Sequence, residues 1–303
     1  MSTPKPPAWR DLHADALGRL RDAGVDSPAA EARWLLEHVS GEPGDEVISS
    51  AALATRRGTI QLGGLLERRV AGEPLQYVLG EWAFREHDLL VDRRVLIPRP
   101  ETEVVVEIAL GEVERLGERR GRPDPWGGAI TTYAVADLGT GSGAIAIALE
   151  RALPEAEVWA TDVSHDALAV ARANIAGTGA TRVRTAHGHW FDALDDALRG
   201  ALLVVVSNPP YIAESEADSL PSTVVAWEPY GALISGPTGL EAIEVILTEA
   251  PAWLAPGGVV VLEHSPHQAE AVVRLALDAG FAEARVEPDL AGRSRALVAR
   301  LAG

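Results

Sequence analysis

From Tyr133 to the carboxyl end, short apolar runs alternate with amphipathic stretches, and that alternation leaves few folds open. "YAVADLG" is followed by "SGAIAIALERAL", "EVWATDV" by "SHDALAVARANIA", and then come "RVRTAHG" and "LLVVVSN". After a long insertion, "PTGLEAIEVILTEAPAWL" precedes "GVVVLEH", and "HQAEAVVRLALDAG" precedes "FAEARVEP" and "SRALVARL". Strands separated by helical periods need crossover connections. The expected class is therefore α/β, an open and mostly parallel sheet with helices on both faces. The final two strands lie too close together for a helical crossover and are expected to pair antiparallel.

The first third has a different texture. "WRDLHADALGRLRDAGV" places Leu12, Ala16, Leu17 and Leu20 on one helical face, and "DSPAAEARWLLEHVSG" opens on Ser27-Pro28 and stops at Gly41. A third segment, "TIQLGGLLERRVAG", carries paired glycines that weaken its helical pattern. Residues 1–73 are expected to form a small helical domain. "PLQYVLGEWAFREHDLLVDRRVLIPRP", residues 74–100, reads as short strands or a hairpin linking it to the α/β domain at 101–303. There a helix, "ETEVVVEIALGEVERLG", is expected to lead into the loop "GERRGRPDPWGGA".

Composition narrows the function classes. A net charge of −17 speaks against broad gripping of nucleic acid phosphates, so no direct nucleic acid partner is expected. The chain has no cysteine, which removes disulfides and thiolate metal sites. No His/Asp/Glu set has metal-ligand spacing, so no metal is expected. No signal-like apolar core opens the sequence, and "ALLVVV" is too short to span a bilayer. The reading is a soluble, cytoplasmic protein with no membrane partner.

"ADLGTGSGAIAIAL" follows the first strand of the alternation. Gly139, Gly141 and Gly143 allow a tight turn that exposes amides at a helix start, and Ala144 completes a G-x-G-x-x-G/A pattern. The next strand ends on Asp162, whose carboxylate can accept from two ribose hydroxyls, leaving Ser164 to cap the following helix. Glycines and acid together point to a nucleoside-containing cofactor beyond the strand ends. They do not separate a nicotinamide dinucleotide from S-adenosylmethionine.

The fourth strand runs into Asn208-Pro209-Pro210-Tyr211 and is expected beside the first, facing the same crevice. Asn208 offers a side-chain carbonyl, the rigid Pro-Pro turn offers a backbone carbonyl, and Tyr211 offers a ring that can stack. Two fixed acceptors and a ring suit a planar –NH2, a poor nucleophile because its lone pair is delocalised. Holding both N–H bonds favours pyramidalisation and aims the nitrogen for methyl transfer without a strong base.

With "DLGTGSG", "TDVS", "NPPYI" and the upstream "LIPRPETE", the chain resembles the release-factor glutamine methyltransferases over nearly its whole length. "EARWLLEHVSG", "RRVAGEPLQYVLG" and "PGGVVVLEH" carry the resemblance further. It implies a Rossmann-like S-adenosylmethionine-dependent methyltransferase domain. The expected reaction methylates the side-chain amide of the Gln in the Gly-Gly-Gln loop of class-1 peptide chain release factors. It further implies that Gly139, Thr140, Gly141, Ser142 and Gly143 wrap the cofactor's methionine part and Asp162 takes its ribose. Trp190 would neighbour the adenine, and Asn208 to Tyr211 would hold the substrate amide, Asn208 also bordering the cofactor. His189 stands where the family usually has an acid before this Trp. Arg99, Glu101 and Glu103 lie in the Pro-rich lip, where the two acids suit a helix N-terminus. Glu263 and His264 end the fifth strand, His264 as a structural or rim residue. The motif "NPPY" is shared with enzymes that methylate adenine N6 in nucleic acid, which is the alternative reading. A non-catalytic cofactor-binding protein is a third.

Overall fold

The computed structural model describes residues 6–120 and 133–303 and divides into two compact units, Met1–Glu81 and Trp82–Gly303. The first unit is helical: α1 (Trp9–Asp22), α2 (Pro28–Ser40), α3 (Gly44–Ser49), α4 (Arg56–Val70) and α5 (Leu75–Leu79). Pro28 occupies the first turn of α2, where its missing N–H is harmless, and Gly41 ends that helix in the left-handed conformation at φ 74°. The paired glycines do not break α4. Gly63 and Gly64 face open space, the Thr55 side chain caps the amide of Gly58, and Leu62 and Leu66 are buried. Burial against Leu20, Leu35, Leu36 and Leu75 outweighs the glycine penalty of about 1 kcal/mol per residue.

The segment read as strands from Pro74 begins instead as helix. Leu75, Tyr77 and Val78 are buried on α5, and Gly80 closes it in the left-handed conformation. Only β1 (Glu81–Phe84) and β2 (His87–Leu90) form the expected hairpin, and the division between units falls after Glu81 rather than at 73/74. Packing of an apolar one-turn helix overrode the β-propensity of its Tyr and Val.

In the second unit α6 (Pro100–Arg120) precedes β3 (Tyr133–Leu138). The helix continues past Gly117, where a loop was expected, and the remainder of that loop lies outside the described residues. Then follow α7 (Ala144–Ala152), β4 (Ala156–Asp162), α8 (His165–Thr178), β5 (Val183–His187) and β6 (Leu202–Ser207). The long insertion contains β7 (Ile212–Ala213), α9 (Ser222–Trp227), α10 (Tyr230–Leu233) and β8 (Ile234–Gly236), with β7 and β8 paired in parallel. Next come α11 (Glu241–Glu249), β9 (Leu254–Glu263), α12 (Ala269–Asp278), β10 (Glu283–Pro288) and β11 (Ser294–Arg300).

The main sheet runs β10-β11-β9-β6-β3-β4-β5, with β11 antiparallel to both of its neighbours. The expected parallel sheet, antiparallel last strand and β3–β6 adjacency are all present. Every residue of β6 is buried, as its unbroken apolar run requires in a strand covered on both faces. Strand order reverses between β3 and β6, which opens a crevice at their carboxyl ends. Leu138, Asp162, Ser207 and Glu263 all end strands along that edge. Among the described residues no helix is long and apolar enough to cross a membrane.

Candidate active site

A cavity of about 570 Å³ lies at this edge, within the range of small-molecule sites. Gly139, Thr140, Gly141, Ser142, Asp162, Trp190, Asn208 and Pro210 line it, as do Thr102 and His189. Gly143, Pro209 and Tyr211 are not among the lining residues. Gly143 caps α7 at φ 85° with Ala171 packed beneath it, and Pro209 is buried.

The glycine turn is shaped by its own strand and by β4. Gly139 and Gly141 take φ 71° and 56°, which a side chain would strain. A Cβ on Gly139 would come 3.3 Å from the Trp190 ring, whereas Gly141 faces open space. Asp162 Oδ2 accepts from the Gly141 amide at 2.9 Å, and Oδ1 accepts from the Ser164 amide at 2.8 Å. Ser164 caps α8 through its hydroxyl, so Asp162 is spared that task. Burial raises the Asp162 carboxyl above its ordinary value, opposed by those two amides. Asp137, fully buried beneath the turn, accepts from the Thr140 hydroxyl at 2.6 Å and the Ala146 amide at 3.1 Å through Oδ2. Its Oδ1 is buried without a protein partner, and burial pushes the group up to about 7. Trp190 sits at φ 45°, an uncommon conformation for a bulky residue, with the His189 ring edge-on at 5.5 Å. Asn174 ties this region together, donating to Ser142 O at 2.8 Å and exchanging hydrogen bonds with the Leu90 backbone.

At the end of β6, Asn208 Nδ2 donates to Thr102 Oγ1 at 3.1 Å, and Thr102 Oγ1 donates to Glu263 Oε2 at 2.7 Å. Tyr211 donates from its hydroxyl to Glu263 Oε1 at 3.1 Å. Burial raises the Glu263 carboxyl, while the Thr102 hydrogen bond, Arg295 and Tyr211 pull it back. Burial and the Glu263 charge raise the Tyr211 phenol. Gln268 donates to Tyr211 O at 2.9 Å, and Gly239 lies so close that a Cβ there would meet the same carbonyl at 2.6 Å.

The Pro-rich lip is anchored by Glu228 of the insertion, which is buried. It accepts from the Ile97 amide at 3.2 Å and from Arg99 at 2.5 Å. Glu101 and Glu103 stand in the first turn of α6, as expected, and pair with Arg293 and with the Arg85 amide respectively. His264 is buried, its Nδ1 against Ser265 O. Among the described residues no group of three or more His, Asp or Glu has the arrangement of a metal site.

Sequence reading missed Thr102, Glu228 and the anchoring use of Glu263. The available signal was an acid ending the otherwise apolar run "VVVLE", because a buried charge at a strand end needs partners. In chemical terms the cavity offers a glycine turn with exposed amides, a carboxylate and an indole on one side. On the other side it offers a half-buried amide held by a neutral hydroxyl.

The family description "Methyltransferase small domain" matches residues 129–226, and "PrmC N-terminal domain" matches residues 11–80. The chain is 39% identical over 302 residues to the release factor glutamine methyltransferase of Deinococcus radiodurans, covering 97% of this chain and 99% of that protein. It is 42% identical over 284 residues to the Bordetella pertussis protein of the same name, covering 91% and 95%. Among solved structures, the hMettl16 catalytic domain in complex with MAT2A 3′UTR hairpin 6 superimposes with a TM-score of 0.51 at 14% identity. That match covers 83% of this chain and 84% of the other, and it concerns the fold alone.

Proposed function

The chain belongs to the release factor glutamine methyltransferase family, and from that premise we propose that it methylates the N5 side-chain amide of the Gln in the Gly-Gly-Gln loop of class-1 peptide chain release factors. It is an S-adenosylmethionine-dependent methyltransferase. The observation that carries the choice of a carboxamide is the Asn208 side chain. Its nitrogen donates to Thr102 and the residue lines the cavity, so its oxygen is the end that can accept from a substrate there.

The residues fit the cofactor. A Cβ at Gly139 would press against the Trp190 ring at 3.3 Å, Gly139 sits at φ 71° where a side chain is strained, and Asp162 fixes the Gly141 amide at the cavity wall. Gly139 to Gly143 would cradle the methionine part, Asp162 would accept from the ribose, and Trp190 with His189 would flank the base. When bound, the cofactor supplies an electrophilic methyl group on a sulfonium.

The chain's own residues do the rest. Asn208 Oδ1 and a carbonyl of the Pro209–Pro210 pair accept the two N–H bonds of the substrate amide. This draws the nitrogen out of conjugation and fixes its approach. Acceptors preorganised where positive charge develops lower the barrier most in the transition state, so no strong base is required. Tyr211 holds the tetrapeptide through its hydroxyl and backbone carbonyl. The amino-terminal helical unit contributes to release-factor recognition, and the reaction takes place in the cytoplasm.

The test is incubation with methyl-labelled cofactor and a release factor, either wild type or with the loop Gln replaced by Ala. Label on the wild type alone supports the reading. Equal labelling of both, or labelling of DNA or RNA in place of protein, overturns it.

A further inference from the structure

Asn208 can serve as an acceptor only if its amide is turned the right way, and nothing in the tetrapeptide itself decides that. An Asn side chain is nearly symmetric in shape, and one end donates while the other accepts. The deciding contacts come from elements far away in sequence. Glu263 ends β9 at 1% exposure, and Thr102 in the first turns of α6 is 4% exposed. Both oxygens of Glu263 act as acceptors, Oε2 from the Thr102 hydroxyl and Oε1 from the Tyr211 hydroxyl. The single Thr102 hydroxyl hydrogen must therefore point at Glu263 Oε2, 2.7 Å away. Thr102 Oγ1 then shows Asn208 only lone pairs, and only the –NH2 end of the amide is compatible with the 3.1 Å contact. The flipped amide would oppose two acceptors in a buried place, which is disfavoured. The other carboxylate oxygen takes the Tyr211 hydroxyl at 3.1 Å, so one acid holds both ends of residues 208–211.

We propose that Thr102 and Glu263 are positioning residues: the buried Glu263 side chain, relayed through the Thr102 hydroxyl, locks Asn208 with its oxygen toward the substrate nitrogen, and through Tyr211 it fixes the far end of the same turn. The proposal rests on the reading of Asn208 as an acceptor for the substrate amide. Neither Thr102 nor Glu263 needs to touch the reacting atoms.

The experiment compares Thr102→Val, which keeps the branched shape and removes the hydroxyl, with Thr102→Ser, which keeps the hydroxyl. For each, kcat and KM with a release factor and the cofactor Kd by calorimetry are measured. Thr102→Val is expected to lower kcat by about 10–100-fold, with cofactor Kd changed by less than about threefold. Thr102→Ser is expected to restore most of the rate. A Thr102→Val enzyme with kcat near wild type overturns the proposal, as does a Thr102→Ser enzyme equally impaired, which would indicate packing rather than the hydroxyl. A readout without turnover separates this from the functional reading. The Asn208 side-chain amide protons, followed by NMR, should exchange with solvent about tenfold faster in Thr102→Val than in wild type or Thr102→Ser. Unchanged exchange overturns the relay whether or not the wild type methylates a release factor. A wild type inactive on release factors with the exchange pattern intact overturns only the functional reading. If Thr102→Val fails to fold, Tyr211→Phe removes the other hydrogen bond to Glu263 while keeping the ring. It should lower kcat with cofactor affinity kept, and an unchanged kcat overturns the proposal.

Discussion

Replacing Asn208 with Ala removes one acceptor from the site, and the surrounding contacts allow the consequences to be separated. The lost hydrogen bond to Thr102 is 3.1 Å long, and Thr102 keeps its shorter one to Glu263, so no buried group is orphaned. The stability cost is then that of one ordinary hydrogen bond, about 1 kcal/mol. In a unit of this size that lowers the melting temperature by about 2–4 °C, too little to unfold the enzyme at assay temperature. Cofactor affinity should barely move, because the Asp162 hydrogen bonds to the Gly141 and Ser164 amides are untouched. The transition state loses a preorganised partner aimed at developing charge. By analogy with removal of one oxyanion-hole donor, kcat should fall about 10²–10³-fold. The assay is single-turnover methyl transfer to a release factor at saturating cofactor, with calorimetry for the cofactor and a melting curve for the fold. A kcat within a few-fold of wild type would refute the reasoning, as would a cofactor Kd weakened as much as kcat falls.

Asp162→Ala should do the reverse, weakening the cofactor by about 10²-fold or more by titration while leaving kcat at saturation close to wild type; equal losses in both would contradict the assigned role. Asp137 is pushed by burial up to about 7, against the Thr140 and Ala146 hydrogen bonds and with the Asp162 charge adding to the rise. An acid raised in the folded state keeps its proton longer than the unfolded chain does, so its contribution to stability is lost as pH climbs from the ordinary value of 3.8 toward about 7. Asp137→Asn should therefore gain melting temperature over wild type between about pH 5 and about pH 8, and a flat difference would refute the shift. Glu112, buried on α6, pairs with Arg285 at 2.6 Å and with Arg300 and Arg115. Burial alone would raise it, but these arginines hold it below the ordinary glutamate value, so its contribution is present at neutral pH and lost as acid titrates the folded carboxylate. Glu112→Gln should cost about 3 kcal/mol in denaturant unfolding at neutral pH, with the gap to wild type closing in acid, whereas a loss under about 1 kcal/mol would count against the cluster.

What could be read from the sequence was what is local. The glycine turn and residues 208–211 follow strands within a few residues and Asp162 ends one, and strand order then carries them to one edge. The unbroken apolar run of β6 announced a central buried strand, and the short connection before β11 announced its reversal. The remainder depends on contacts between distant segments. Thr102 reaches Glu263 across 161 residues and Arg99 reaches Glu228 across 129, so neither partner can be inferred from spacing. The short helix α5 was missed for a related reason. Five residues have no readable period, and their conformation is set by what Leu75 and Val78 pack against. Positions 208–211 were recognisable by composition, but the direction of the Asn208 amide is decided by a proton on Thr102.

A crystal structure of the enzyme with S-adenosylhomocysteine and a Gly-Gly-Gln peptide tests the central claim most directly. The account predicts the Gln side-chain nitrogen within hydrogen-bond reach of Asn208 Oδ1 and of a carbonyl of the Pro209–Pro210 pair, with the cofactor's sulfur on its open side. A peptide whose Gln amide lies away from residues 208–211, or an Asn208 that presents its nitrogen to the substrate, would contradict it.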